Sequence, residues 1–600
     1  MYSNLKNAIK DVAGAVLYCI KLSCKASAFY TIVRIITRFF ISFSAIFLTF
    51  LTSKTISALT MGVAKEQLKS DVIFLFALIL FVNIAQRVLS ELDRYCTHLQ
   101  NMMLSHYMNM YIMEKMANID IECYDSPAFY DTMEAVKRDN YVITTVLWNV
   151  FDAISSMVAF CGIFVVVSSY KIWFALVIFL AIIPSAVINQ RYTKFIYNWD
   201  LKNIKEQRSM GYIQSIVSSR NHAMEIRLYD IGDYLIKKYS NAWKVFLHKK
   251  RNILKEKTRF IVVLVMLPEI CMVGIMLYLA FGILEGRNTI GDYTLYSGLL
   301  GQLLMNVITL VNAFNNIYED RLRINNIRSF EKIKSVIQDT GKRSVEGDVS
   351  IEFRNVSFKY PGTEKMILDN VSFRIGKREK ACIVGINGAG KSTIMKLVLR
   401  FYDATEGEIL INDVNIKEYE ISSLRKCFNA FFQDVSNYSF TVRENISISD
   451  YSNREKNDED IYECLGNSEA LEMVRGFPKG LGQYVTKSFD EDGVELSGGQ
   501  YQKLALARMF YRDSKVVLLD EPSASLDPEA EYKLFDFLTN YCENKTAIFT
   551  SHRLSNIHLA EYIILLEEGK VVEKGSHEEL MKNDSRYAQL YHYQADKYMK

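Results

Sequence analysis

Long apolar runs dominate the first half of the chain and vanish from the second. A bilayer core is crossed by about 20 mostly apolar helical residues. Six segments reach or approach that length, at roughly residues 39–59, 72–88, 146–168, 172–188, 260–284 and 293–314. The second and fourth are short and are expected to extend into less apolar flanks. The spans fall in pairs: connections after the first, third and fifth are short, while those after the second and fourth run to about 55 and about 70 residues. Few Gly or Pro interrupt the long connections, so they are expected to continue the spans as helices. About 25 residues of such helix would project roughly 37 Å. At one tip, Tyr124 to Tyr130 joins a turn signal to aromatics; Ala223 to Tyr229 holds the equivalent place in the other. Each tip reads either as a short helix docking on another domain or as a solvated turn.

Past Glu331 the pattern becomes that of an α/β protein. Ile351, Phe353, Val356 and Phe358 alternate as in a strand, with one interruption. Ala381 to Val384 reads as a buried strand running into Gly385-Ile386-Asn387-Gly388-Ala389-Gly390-Lys391-Ser392-Thr393. That run fits the glycine-rich loop whose N–H groups wrap phosphates, with Lys391 placed for the β- and γ-phosphates and Ser392 for Mg²⁺. Roughly a hundred residues on, Leu496-Ser497-Gly498-Gly499-Gln500 precedes a helical stretch and offers a second phosphate surface at a helix start. Two such surfaces far apart in one chain suggest a nucleotide held between two copies of the domain. A second buried strand, Val516 to Leu519, ends in Asp520-Glu521. Adjacent carboxylates at a strand end point in different directions, so Asp520 suits the metal and Glu521 the attacking water. His552 follows the apolar strand Ala547 to Phe549 and could donate to the γ-phosphate. Tyr360 closes the first strand, either stacking on an adenine or packing.

Charge suggests an orientation. Lys6, Lys10, Lys21, Lys25, Arg34 and Arg38 precede the first span, and Lys237, Lys238, Lys249, Lys250 and Arg251 lie in the last long connection. The turn after the third span has only Lys171; Lys54, Lys65 and Lys69 run the other way but are outnumbered. The positive-inside rule then puts the N-terminus, the long connections and the second half in the cytoplasm. Within the spans Lys54, Asn83, Gln86, Arg87, Asp152 and Glu269 are the notable polar groups. Glu269, beside Pro268, reads either as a cavity-lining or substrate contact or as an interfacial residue near a kinked helix end. The formal charge of +3 gives no footing for nucleic-acid binding, and the ten cysteines form no C-x-x-C pair, so ordinary thiols are expected. The first apolar run starts too late for a cleavable signal peptide, and none is expected.

These residues together resemble an ATP-binding cassette (ABC) transporter of the exporter type, a half-transporter, over nearly the whole chain. The resemblance implies an α-helical six-span membrane domain over residues 1–335, a linker over 336–348 and an α/β P-loop NTPase domain over 349–600. It implies that Tyr360 stacks on adenine and that Gly385 to Thr393 form the phosphate loop. Gln433 senses Mg²⁺ and contacts the membrane domain, and Leu496 to Gln500 are the family signature. Asp520 and Glu521 take the metal and base positions, Asp527 closes the next loop, and His552 is the switch histidine. Two chains sandwich two ATP molecules, each between one chain's phosphate loop and the other's signature, while the membrane helices alternate between inward- and outward-open states. The acidic run Ser488 to Gly493 departs from the usual pattern before the signature. No cysteine-peptidase domain is expected before the spans. The expected function is ATP-driven export of a peptide, lipid or drug by a homodimer in a bacterial plasma membrane; import on the same fold, or ATP-gated regulation, are the alternatives.

Overall fold

A computed structural model describes residues 2–60, 65–126, 129, 132–133, 135–137, 142–434, 436–451, 457–522, 528–551 and 560–598. The chain divides into two compact units: Met1–Ala117 with Asp131–Ile333, and Asn118–Tyr130 with Lys334–Lys600.

The first unit is helical: α1 (Tyr2–Thr60), α2 (Lys65–Asn118), α3 (Val142–Lys202), α4 (Ile204–Ser218), α5 (Arg220–Leu228), α6 (Gly232–Leu284) and α7 (Ile290–Lys332). Among the described residues, five helices are long and apolar enough to cross a membrane. Six passes fit into five helices because α3 turns back on itself at Lys171, whose backbone leaves the helical region (φ −150°, ψ 112°). The rings of Phe160 and Phe179 lie 6.2 Å apart, whereas 19 residues of straight helix would separate them by about 28 Å. The turn between the third and fourth spans therefore falls where the apolar pattern breaks. The long connections are helical extensions of the spans, as α2, α3 and α6 run on well past the apolar windows.

Two features of this unit go beyond the sequence pattern. Ser27 breaks α1 (φ −165°, ψ 100°), and its hydroxyl accepts from the Tyr30 N–H at 3.5 Å, so a separate helix precedes the first span. Further on, Arg38 donates to Asp93 at 2.9 Å and to Asp152 at 2.8 Å, tying α1 to α2 and α3. Arg34, only 1 % exposed, donates to Gln100 of α2 at 2.6 Å. A buried charge needs such partners, and Asp152 thus has one. Glu269 lies on an exposed side of α6 beside the buried Pro268. The second tip is α5, with Met224 and Leu228 exposed.

In the second unit, two sheets sit around a shared core. One is antiparallel, in the order β2 (Leu368–Ile375), β1 (Ile351–Phe358), β4 (Glu406–Ile411) and β5 (Val414–Asn415). The interruption in β1 is a bulge, with a register shift between Phe353 and Val356 and Asn355 at φ 50°. The other sheet has the order β10 (Lys570–Gly575), β9 (Tyr562–Glu567), β3 (Lys380–Val384), β8 (Thr546–Ser551), β7 (Val516–Asp520) and β6 (Phe428–Phe431). All its pairings are parallel except β9 with β10. Successive residues alternate between two apolar clusters: Cys382, Val384, Val517 and Leu519 pack on one side, Ala381, Ile383, Val516 and Leu518 on the other. A strand covered on both faces reads as a continuous apolar run, which is why β3 and β7 are visible in the sequence. Burial pushes the thiols of Cys382, Cys427 and Cys542 up to about 12, as suits inert core residues.

The first tip belongs to this unit. Its short helix, Ile121–Tyr124, is held from both ends: the Ile337 N–H donates to Asp120 at 2.8 Å, and the Tyr402 hydroxyl donates to Asp125 at 2.7 Å. The docking reading therefore holds for this tip. Burial and the Asp125 contact raise the Tyr402 phenol above its ordinary range.

Candidate functional site

Parallel strands end at one edge of their sheet, and in open α/β sheets that carboxyl edge is where ligands sit. β3 delivers the glycine loop there, β7 the two carboxylates and β8 the approach to His552. Helix α8 (Lys391–Val398) starts directly from the loop. Gly390 adopts φ 106° and Gly388 φ 81°, both left-handed. A Cβ on Gly385 would meet the Leu566 carbonyl oxygen at 2.3 Å, and one on Gly390 would meet Leu368 at 2.7 Å. Glycine is thus required at 385 and 390 by close approach. At Gly388, a Cβ would project into open space, on the exposed side of the loop with Asn387.

Lys391 is 6 % exposed and folds back over the loop, its Nζ donating to the Gly385 carbonyl at 2.8 Å and to that of Ile386 at 3.4 Å. It also lies 3.9 Å from Glu521 Oε1. Burial lowers its pKa from the ordinary lysine value, and the nearby carboxylates oppose that shift. Ser392 is half-buried beside it, and the Thr393 hydroxyl lies 3.2 Å from the hydroxyl of Tyr360. The Tyr360 ring stands edge-on to Phe358 and Tyr402, at 5.1 and 5.3 Å. Tyr360 thus packs against both rings beside the phosphate loop, with its hydroxyl on the first turn of α8.

The carboxylates diverge as their position at a strand end implies. Asp520 is buried, and its Oδ1 accepts from the Thr550 hydroxyl at 2.5 Å. Glu521 leaves the strand in the left-handed region (φ 49°), uncommon for a residue with a side chain. Its Oε2 accepts from Gln433 Nε2 at 3.1 Å, and its N–H donates to Thr550 Oγ1 at 3.2 Å. The structure thus gathers Lys391, Gln433, Asp520 and Glu521. It also adds two residues that sequence reasoning passed over. Thr550 bridges the Asp520 carboxylate and the Glu521 backbone N–H, and its only signal was a hydroxyl two places before His552. Gln502 donates to the Pro522 carbonyl at 2.5 Å, which ties the signature helix to the segment after Glu521. Asp527 and His552 lie outside the described residues.

The signature opens α9 (Gly498–Tyr511) as a capping box: Ser497 Oγ accepts from the Gln500 N–H at 3.3 Å, and Gln500 Oε1 accepts from the Ser497 N–H at 2.8 Å. A hydroxyl carries one donor and two acceptor positions, so Ser497 caps with a lone pair and keeps its O–H to donate. Ser497 and Gly498 are exposed, with Gly499 half-buried. Among the described residues, no hydrogen bond joins them to the loop 385–393 of the same chain. In the acidic run before the signature, Asp490 and Asp492 both pair with Lys479, at 2.7 and 3.2 Å.

This donor set suits a nucleoside triphosphate: a glycine loop shaped by close approach, a buried lysine and a helix start. It also suits Mg²⁺. No group of three or more His, Cys, Asp or Glu side chains gathers among the described residues. A cation held by Ser392, Gln433 and Asp520 would share its shell with phosphates and water, which is the habit of Mg²⁺.

Comparison with known proteins agrees with this geometry. Residues 31–307 match the family model of the ABC transporter transmembrane region, and residues 368–524 match that of the ABC transporter, together more than half of the chain. A subtilin transport ATP-binding protein of Bacillus subtilis is 29 % identical over 87 % of this chain and 85 % of its own length. An ATP-dependent lipid A-core flippase of Coxiella burnetii is 32 % identical over 65 % of each. A solved ATP-bound bacterial Atm1-family ABC exporter shares the fold over 99 % of both chains, with a TM-score of 0.77 at 21 % identity. With a helical membrane unit and a two-sheet nucleotide-binding unit in one chain, the protein belongs to the ABC transporters, as a half-transporter of the exporter type.

Proposed function

We propose that the chain works as a homodimer in a bacterial plasma membrane, exporting its cargo by alternating access with Mg²⁺ and ATP, the ATPase half on the cytoplasmic side. In this reading the membrane domain runs to residue 335, a linker covers 336–348, and the ATPase domain fills 349–600. The observation that carries it is the convergence of Lys391, Gln433 and Glu521 at the strand ends, beside an Asp520 fixed by Thr550. Lys391 and the N–H groups from Gly388 to Thr393 bind the β- and γ-phosphates. Tyr360 flanks the same loop and faces the base once nucleotide is bound. Ser392, Gln433 and Asp520 hold the metal. Bound MgATP supplies the phosphoryl group whose transfer to water releases the energy. Glu521 accepts the proton of that water, oriented by the Gln433 amide, and His552 is assigned as the donor to the γ-phosphate.

Ser497, Gly498, Gly499 and Gln500 serve the partner's nucleotide. The exposure of Ser497 and Gly498 and the distance of all four in sequence from the loop support this, as does the O–H that Ser497 keeps to donate. The chain carries every chemical group of both halves of the composite site, so two copies suffice. The exposed Met224 and Leu228 of the second tip are consistent with a second chain covering them. Relatives named for subtilin, nisin and lipid A-core transport support export and leave peptide, lipid and drug open as cargo.

The test is hydrolysis by the purified chain alone in lipid. Glu521→Gln should still bind ATP while losing turnover by ~10² or more, and Lys391→Ala should lose binding itself. Near-normal turnover in Glu521→Gln removes Glu521 as the base. A chain that hydrolyses ATP only after a different half-transporter is added is not a homodimer.

A further inference from the structure

One cavity in the first unit combines apolar walls with a polar group that lacks a partner. It lies between the two arms of α3 and helix α7, holds about 350 Å³, and is lined by Phe160, Phe179, Val311, Phe314, Gln190 and Asn315 among others. That volume falls within the ~300–1,000 Å³ of small-ligand sites. Asn315 is only 6 % exposed, and its amide nitrogen has no hydrogen-bond partner. Its neighbours on α7 differ: Gln302 donates to Thr49 at 2.6 Å, Asn306 to the Gln302 carbonyl at 2.8 Å, and Asn316 to Asn149 at 3.1 Å. A buried donor left unmade is costly, and an unsatisfied one in a native protein calls for an occupant.

The lining tells what that occupant is. Three phenyl rings and aliphatic side chains favour apolar groups. Asn315 asks for an acceptor, and Gln190 adds a second amide able to donate or accept. Among the described residues, no charged side chain lines the cavity, so an anionic or cationic head would be buried without a counter-charge. An acyl chain would leave the Asn315 amide unpaired, and the phosphate beside a phospholipid's ester carbonyls would lack a cation here. A peptide backbone flanked by apolar side chains meets all three demands. We propose that this cavity binds an uncharged, hydrophobic peptide segment, with the Asn315 amide donating to a backbone carbonyl. This rests on the export reading and names the cargo class that the membrane half takes.

The test uses the full chain in nanodiscs without nucleotide. The probe is an acetylated, amidated pentapeptide of leucine, alanine and phenylalanine carrying one benzophenone side chain. Light should attach it to fragments containing 160, 179 or 307–315, and Asn315→Leu should weaken the labelling about tenfold through the lost hydrogen bond. The same substitution removes an orphaned buried donor, so the ligand-free variant should melt no lower than the unmodified protein. The peptide should raise the melting temperature of the unmodified protein and not that of the variant. Equal labelling of both proteins overturns the proposal, as does labelling confined to other helices. Preferential capture of a benzophenone-bearing phospholipid at the same fragments replaces the peptide with a lipid and overturns it too. ATP turnover of the unmodified preparation is measured in parallel: failed labelling with turnover intact sinks the cavity alone, whereas absent turnover sinks the export reading beneath it.

Discussion

Thr550 does the work of two contacts with one oxygen. Its O–H donates to Asp520 and its lone pair accepts from the Glu521 N–H, so one buried hydroxyl holds the Asp520 carboxylate and the backbone from which Glu521 projects. Thr550→Val keeps the shape and deletes both bonds. Hydrogen bonds to charged groups contribute about 1.5–3 kcal/mol, so turnover should fall about tenfold or more, with a weaker response to added Mg²⁺. Thr550→Ser should recover most of it. Equal loss in the Val and Ser variants would mark Thr550 as a packing residue instead. The phosphate loop, both carboxylates and the signature were legible in the sequence because each is a local pattern tied to an element end. Thr550 was not, because its role comes from the parallel register that sets Asp520 against it. Register between strands thirty residues apart is a property of the whole sheet. Tyr360 shows a similar limit: a place beside the nucleotide loop and a packing role are both readable from the sequence, whereas the partners of its ring, Phe358 and Tyr402, are set by the fold.

Among the elements, hydropathy located the spans well, down to the break at Lys171. A bilayer demands long apolar runs and leaves few alternatives. The break at Ser27 escaped notice because the flanking residues keep a helical pattern through it. Docking of the first tip is ambiguous in the sequence for a similar reason: aromatics after a turn look alike whether solvated or packed. Its anchor, the bond from Tyr402 to Asp125, joins the tip to the ring that packs on Tyr360 and so to the first turn of α8. Tyr402→Phe should free the tip without disturbing the aromatic cluster. Amide hydrogen exchange in peptides covering 120–125 should quicken about tenfold or more. Unchanged exchange would show that the Asp120 contact alone holds the tip.

At the scale of the molecule, orientation rests on the asymmetry of Lys and Arg. In a variant lacking the exposed Cys24 and Cys161, Arg287→Cys in the turn before α7 should react with an impermeant thiol reagent outside intact cells. Lys249→Cys on the extension of α6 should react only after the cells are opened. The opposite pattern would invert the topology. The cavity around Asn315 was illegible in the sequence, since it is assembled from segments near 160, 179–190 and 307–315 that meet only through packing.

The fold-back at Lys171 has a consequence for how the protein is made. With so short a turn, the two arms of α3 cannot enter the bilayer far apart in time; they insert as one hairpin or not at all. A pair of passes has even parity. A nascent chain that fails to insert this hairpin would still leave every later segment on the same side of the membrane as in the intact protein. Quality control would then face a membrane protein of correct sidedness whose error is a missing wall.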